Sequence, residues 1–238
     1  MCVAIHKPKG VKTPSLETLK QCWDANSDGA GFALMTGGER AIEIHKGYMT
    51  WKSFVNAYEK YRLEDFSGDM LLHFRIATHG GISPGLTHPF SLTKDIKLLK
   101  HINVLTNYAL IHNGMLPIEP PGDISDTMEF CRRLAPLYQN ISSAFGLIEG
   151  MAGNNKIAVM TRDKVHLFGE WERIDGVYFS NLYWDYGCFD DFGEEAEYRL
   201  LEMGYCPYCD APINHGAGGY CCSDCELEWP RFDKLLAL

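Results

Sequence analysis

Apolar and polar positions along the chain change period several times, and each change marks an element. Cys2-Val-Ala-Ile-His6 is a β-prone run that predicts a buried strand over 2–6. Thr13-Pro14 supplies a cap with proline at the first helical position, and Leu16, Leu19 and Trp23 then recur at helical spacing, which predicts an amphipathic helix ending near Asn26. Asn26-Ser-Asp-Gly29 is turn chemistry, and the runs Gly31 to Met35 and Ala41 to His45, separated by Gly37-Gly38, predict a hairpin. Trp51, Phe54, Val55 and Tyr58 predict a second helix, after which Asp69 to Arg75 returns to strand. Residues 79–106 form a glycine- and proline-punctuated excursion long enough to be functional. Tyr108 to His112 predicts a strand that breaks at Asn113-Gly114, and a helix follows from Asp126 to Tyr138, capped by Ser125 or Asp126. Further strands are expected at 156–160, 165–168 and 176–180. Strands and helices in this order predict an α+β fold of stacked sheets with helices outside.

Length and charge narrow the function. A chain of 238 residues holds one full domain plus a small appendage, or two small domains. Its net charge of −9 repels phosphate backbones and anionic lipid surfaces, so nucleic-acid binding is not expected. No apolar run reaches the roughly 18–20 residues of a membrane span, and the first residues do not read as a signal peptide. The expectation is a soluble cytoplasmic protein without a membrane partner. Of nine cysteines, four lie at positions 2, 22, 131 and 188, and five crowd into 206–225. In a reducing compartment such short spacings point to metal ligation rather than disulfides.

Candidate chemistry begins at Cys2, whose small side chain permits removal of the preceding Met1. The thiol would then share a residue with an α-amine of pKa about 7.7–8.0, so nucleophile and base arrive together. Position alone also fits a partly buried cysteine without a role, and other segments decide. His73-Phe-Arg75-Ile-Ala-Thr78-His79-Gly80 ends a strand in a guanidinium suited to bidentate capture of a carboxylate. His112-Asn113-Gly114 ends another in a side-chain amide beside a glycine N–H, the two donors an oxyanion hole needs. Ser125-Asp126-Thr127 offers a carboxylate to a ligand ammonium. Taken singly, these segments also read as a surface ion pair, an Asn-Gly turn and a helix cap.

Together, with Asp28-Gly-Ala-Gly31, His88-Pro-Phe90 and the later Gly176-Val-Tyr-Phe-Ser180, they resemble the glutaminase domain of class II glutamine amidotransferases, which are amino-terminal-nucleophile hydrolases. The resemblance spans about residues 2–185 and implies a four-layer α-β-β-α sandwich over 1–200. It implies that glutamine is the substrate, with Cys2 the nucleophile, Asn113 and Gly114 the oxyanion donors, and Arg75 the partner of the α-carboxylate. Asp126 would take the α-ammonium, with Asp123 as the alternative if the helix shifts, and Thr78 and His79 would line the pocket. The stretch from Arg75 to Asn113 is longer than the family pattern, and that from Asn113 to Asp126 is shorter. No segment after about residue 200 has the length of a synthase domain, so a separate ammonia-accepting synthase is the expected partner. Two other readings stand beside this one: an amidase for another γ-glutamyl-like amide, and a catalytically silent adaptor.

The last segment, 201–238, has its own chemistry. Cys206/Cys209 and Cys222/Cys225 are two C-x₂-C pairs separated by twelve residues, which predicts a structural zinc site of four thiolates resembling a treble-clef or ribbon finger. Cys221 and His215 are alternative ligands. Without metal, so short a segment cannot assemble a core. Its six acidic against two basic residues disfavour phosphate contact and fit a protein-docking module better.

Overall fold

In the computed structural model, which describes residues 2–36, 41–77 and 81–185, the strands, which include β-segments at Phe90–Ser91, Asn103–Thr106 and Glu172–Ile174 that the residue pattern did not predict, arrange into two antiparallel sheets flanked by helices. Strands β1 (Val3–Lys7), β2 (Ala30–Thr36), β3 (Ala41–Tyr48) and β4 (Met70–Phe74) come first. They are followed by β5 (Phe90–Ser91), β6 (Asn103–Thr106), β7 (Ala109–Asn113), β8 (Lys156–Met160), β9 (Val165–Phe168), β10 (Glu172–Ile174) and β11 (Val177–Phe179). The larger sheet has the order β10-β11-β1-β4-β2-β3-β6 and the smaller β5-β7-β8-β9. Helices α1 (Leu16–Ala25), α2 (Trp51–Lys60), α3 (Ile96–Lys100), α4 (Asp126–Leu134) and α5 (Ile141–Ala152) intervene, and no described helix is long and apolar enough to cross a membrane.

Alternation along the strands divides the apolar core. Val3, Ile5, Phe32, Leu72 and Phe74 pack with Leu19 and Trp23 of α1 and Phe54 of α2. One residue out of phase, Ala4, Ala33, Ile44 and Leu71 form a second cluster with Ala109, Ile111, Ala158 and Met160 of the smaller sheet. On that sheet, Leu110, Ile157 and Val159 join Met128 and Phe130 of α4 and Ile148 of α5 in a third. Because side chains on a strand alternate with period two, each central strand feeds two clusters.

Two features depart from the sequence expectation. The first helix is capped by Ser15, whose side chain accepts from Thr18 N at 3.1 Å, rather than by Thr13. Thr13 is buried and its hydroxyl donates to the Leu63 carbonyl at 2.6 Å instead, a long-range partner that local capping rules do not see. The predicted helix 126–138 keeps α geometry only to Leu134, tightens into a 3₁₀ turn over Ala135–Asn140 and is followed by α5, which the residue pattern did not announce. Within the 79–106 excursion lie β5, α3 and β6.

Candidate active site

Cys2 sits immediately before β1, whose ladder pairs Val3 with Phe74 and so brings the thiol to the end of β4. Its Sγ donates toward the Ile76 carbonyl and accepts from Ile76 N, each at 3.4 Å. Burial pushes the thiol pKa up; the backbone contact at Ile76 and the positive charge of Arg75 oppose that rise. Arg75 is only 4% exposed. Its backbone is fixed in the sheet, N–H to the Gly29 carbonyl at 2.8 Å and carbonyl from Asp28 N at 2.9 Å, while Nη1 donates to the Gly81 carbonyl at 2.9 Å. Burial lowers the Arg75 pKa, and the charges at Cys2, Asp28 and Asp126 counter it, which puts all three within electrostatic reach of the guanidinium. The Asp28 carboxylate closes the turn after β4 by accepting from Ala77 N at 2.7 Å.

The glycines around this turn have identifiable duties. A Cβ on Gly31 would run into the His88 carbonyl and Lys46, so the motif ending at Gly31 and the His88-Pro-Phe90 motif are two sides of one contact. Gly114 has φ +133, and a Cβ there would collide with the Asn155 side chain.

Asn113 ends β7 in the smaller sheet and is buried. Its Nδ2 donates to Ser180 Oγ at 3.0 Å, and the same hydroxyl accepts from Ala4 N at 2.9 Å, so an amide from one sheet is tied to the strand that Cys2 begins. Asn113 Oδ1 is buried with no hydrogen-bond partner among the described residues. Asp126 is the first residue of α4, capped by Ser125. Its carboxylate accepts from Leu116 N at 2.9 Å, Thr127 N at 2.6 Å and Thr127 Oγ1 at 3.2 Å. Asp123 is exposed on the preceding loop, whereas Asp126 is the carboxylate whose charge reaches Arg75.

Behind these groups runs a buried polar seam. His112 Nδ1 bonds Thr127 Oγ1 and its Nε2 bonds Asn155 Oδ1, both at 2.9 Å, while His73 Nε2 donates to the His112 carbonyl at 3.0 Å and so joins β4 to β7. His88 packs against His73 with ring centroids 4.1 Å apart and the rings tilted by 31°. Burial holds all three imidazoles below their ordinary pKa, His73 at about 3.

The structure therefore brings Cys2, Arg75, Asn113, Gly114 and Asp126 to neighbouring strand and helix ends. Thr78 and His79 lie outside the described residues, as do Cys206, Cys209, Cys222, Cys225, Cys221 and His215; among the described residues no cluster of three or more potential metal ligands occurs. Ser180, Asn181, Asn155 and Thr127 are structural members of the site to which the sequence reading gave no task. Ser180 bonds Asn113 across 67 residues, Asn181 bonds Cys2 across 179, and Asn155 and Thr127 bond His112 across 43 and 15, separations that no local spacing marks. A cavity of about 490 Å³ lined by Pro14, Tyr58, Phe179 and Trp184 includes none of the predicted site residues.

The chain matches no protein-family model and no curated protein. Among solved structures, it is similar to the glutamine phosphoribosylpyrophosphate amidotransferase of B. subtilis complexed with ADP and GMP, at 18% identity and a TM-score of 0.47. That match covers 81% of this chain and 44% of the other, so the chain spans less than half the length of its structural neighbour.

Proposed function

We propose that the chain is an amino-terminal-nucleophile glutaminase, which hydrolyses the side-chain amide of glutamine through a Cys2 thioester and releases ammonia. One observation carries the reading. Cys2 Sγ rests against Ile76, the residue after Arg75, while Asn113 reaches across from the second sheet and is tied through Ser180 to the Cys2 strand. A thiol, a buried guanidinium and an amide donor followed by a glycine suit acyl transfer from a substrate that carries a carboxylate.

Removal of Met1 would give Cys2 a free α-amine. That amine takes the thiol proton as Sγ attacks the amide carbon, and the charge on the carbonyl oxygen meets Asn113 Nδ2–H and Gly114 N–H. The proton passes to the leaving nitrogen, the C–N bond breaks and ammonia departs. Water then adds to the thioester carbon, its proton goes to the amine, and the C–S bond breaks to give glutamate and the restored thiol. Arg75 would hold the α-carboxylate. Asp126 would hold the α-ammonium at the one of its roughly four carboxylate acceptor positions that its three hydrogen bonds leave open. Thr78 and His79 would line the same pocket.

Three apolar clusters, one shared by both sheets and two between a sheet and its helices, support a four-layer α-β-β-α sandwich as the scaffold. Cys206, Cys209, Cys222 and Cys225 would hold one structural zinc ion by the spacing of their two pairs. In this reading the ammonia goes to a separate acceptor enzyme.

Intact-mass analysis combined with an assay for glutamate tests the proposal. The expected results are loss of Met1, glutamate formation from glutamine, no turnover by Cys2→Ala, and one zinc per chain by elemental analysis. A Cys2→Ala chain as active as the wild type overturns the mechanism.

A further inference from the structure

β11 ends at Phe179, and the next two side chains turn back toward the proposed nucleophile. In the ladder between β11 and β1, Ser180 N donates to the Ala4 carbonyl at 2.9 Å, but the return bond from Ala4 N goes to Ser180 Oγ, also at 2.9 Å. A side-chain oxygen takes the place of a backbone acceptor on that rung. The same oxygen accepts from Asn113 Nδ2 at 3.0 Å, so its two lone pairs join a strand of one sheet to the end of a strand in the other. Its neighbour Asn181 donates through Nδ2 to the Cys2 carbonyl at 2.8 Å and accepts through Oδ1 from Tyr183 N at 3.2 Å, which fixes both ends of the amide. Both residues are buried, Ser180 at 2% exposure and Asn181 at 9%.

We propose that Ser180 and Asn181 are positioning residues for the glutaminase reaction: Asn181 holds the carbonyl of the nucleophilic residue, and Ser180 sets the distance and orientation between that residue's strand and the oxyanion amide of Asn113. The proposal rests on the glutaminase reading above. Ser180 engages one of the two Nδ2 hydrogens of Asn113, which leaves the other for the developing oxyanion and keeps the donor end of the amide turned to the Cys2 strand. The unpartnered Asn113 Oδ1 makes this constraint matter: an amide free to rotate would present an acceptor where negative charge develops. The hydrogen bonds of the two side chains run to Ala4, Asn113, Cys2 and Tyr183 and to each other, so the pair acts on geometry at the reacting centre and not on the grip on the substrate's two charged ends.

Two variants of the full chain with Met1 removed test this, read by kcat and KM for glutamine, by the rate of Cys2 labelling with a diazo-ketone analogue of glutamine, and by thermal midpoint. Asn181→Asp keeps the shape and the acceptor for Tyr183 N but loses the donor to the Cys2 carbonyl. Ser180→Ala removes the shared oxygen. Misplacement of reacting groups by about 1 Å costs on the order of 10²-fold. The expected result is a fall in kcat and in labelling rate of about 10-fold to 100-fold for each variant, with KM within about twofold; Asn181→Asp should keep a cooperative thermal transition at a lowered midpoint, because its buried carboxylate faces the Cys2 carbonyl. If Ser180→Ala does not fold, Asn181→Asp decides alone. Wild-type kcat and labelling in Asn181→Asp, or a loss confined to KM, overturns the positioning role while leaving the glutaminase reading intact. A wild-type chain that neither hydrolyses glutamine nor becomes labelled overturns both.

Discussion

Arg75 and Asn113 lie near one thiol but have separable physical tasks. A guanidinium that pairs with the α-carboxylate contributes before any bond changes, because that charge is the same in substrate and transition state. Arg75→Ala is therefore expected to raise KM for glutamine about tenfold or more, with a smaller change in kcat; an unchanged KM removes Arg75 from substrate binding. An oxyanion donor acts only when charge develops. Asn113→Ala is expected to lower kcat by roughly 10²–10³-fold with KM nearly constant, which steady-state kinetics over a range of glutamine concentrations will read. The burial of both side chains sharpens the contrast, because charge interactions gain strength as water is excluded.

At the scale of elements, the glycines separate tight sites from open ones. A Cβ at Gly31 of β2 would strike the His88 carbonyl and Lys46, groups held by backbone and packing. Gly31→Ala is expected to cost about 1–3 kcal/mol and to lower the thermal midpoint by roughly 2–12 °C. Gly150 is exposed in α5, and a Cβ there would meet no heavy atom within 4 Å, so it should behave oppositely: Gly150→Ala should stabilise by about 0.5–1 kcal/mol. A scanning-calorimetry comparison in which the two variants shift in the same direction refutes this account. The same contrast explains what could be read in the sequence. Cys2, Arg75 and Asn113 stand where an apolar run meets turn chemistry, so their place at strand ends was legible, and so were the hairpin of β2 and β3 and the helix start at Ser125. α5 was not legible, because Gly146 and Gly150 interrupt its helical signal and its apolar side is decided by packing of Ala144 and Ile148 on the third cluster. Ser180 and Asn181 were not legible either, since their partners Ala4 and Cys2 are 176 and 179 residues away.

For the whole molecule, the seam between the sheets couples stability to pH. His73, His88 and His112 are buried, held neutral by desolvation, and surrounded by Arg75, Lys46 and Asp126. An unfolded histidine takes its proton near pH 6.5, whereas His73 in the folded chain does so only at about 3. Between those values the unfolded state carries the additional proton, so acidification through that window favours unfolding, and the full contribution to stability is present only above it. Each such histidine adds at most about 1.4 kcal/mol of lost stability per pH unit. Buried Lys46, whose pKa is also pushed down by desolvation, acts in the same direction, so the wild-type slope alone does not isolate the imidazoles. His88 does so: its two ring nitrogens have no hydrogen-bond partner among the described residues, and its ring packs on His73 and Phe90, contacts that a phenyl ring can keep. Denaturant titrations at about pH 7.5 and about pH 5.5 should therefore give His88→Phe a smaller acid-induced loss of stability than the wild type, by up to about 1.4 kcal/mol per pH unit below 6.5. An equal loss in the two proteins would mean that His88 takes up its proton over the same pH range in the folded and the unfolded chain, and that burial does not hold it neutral.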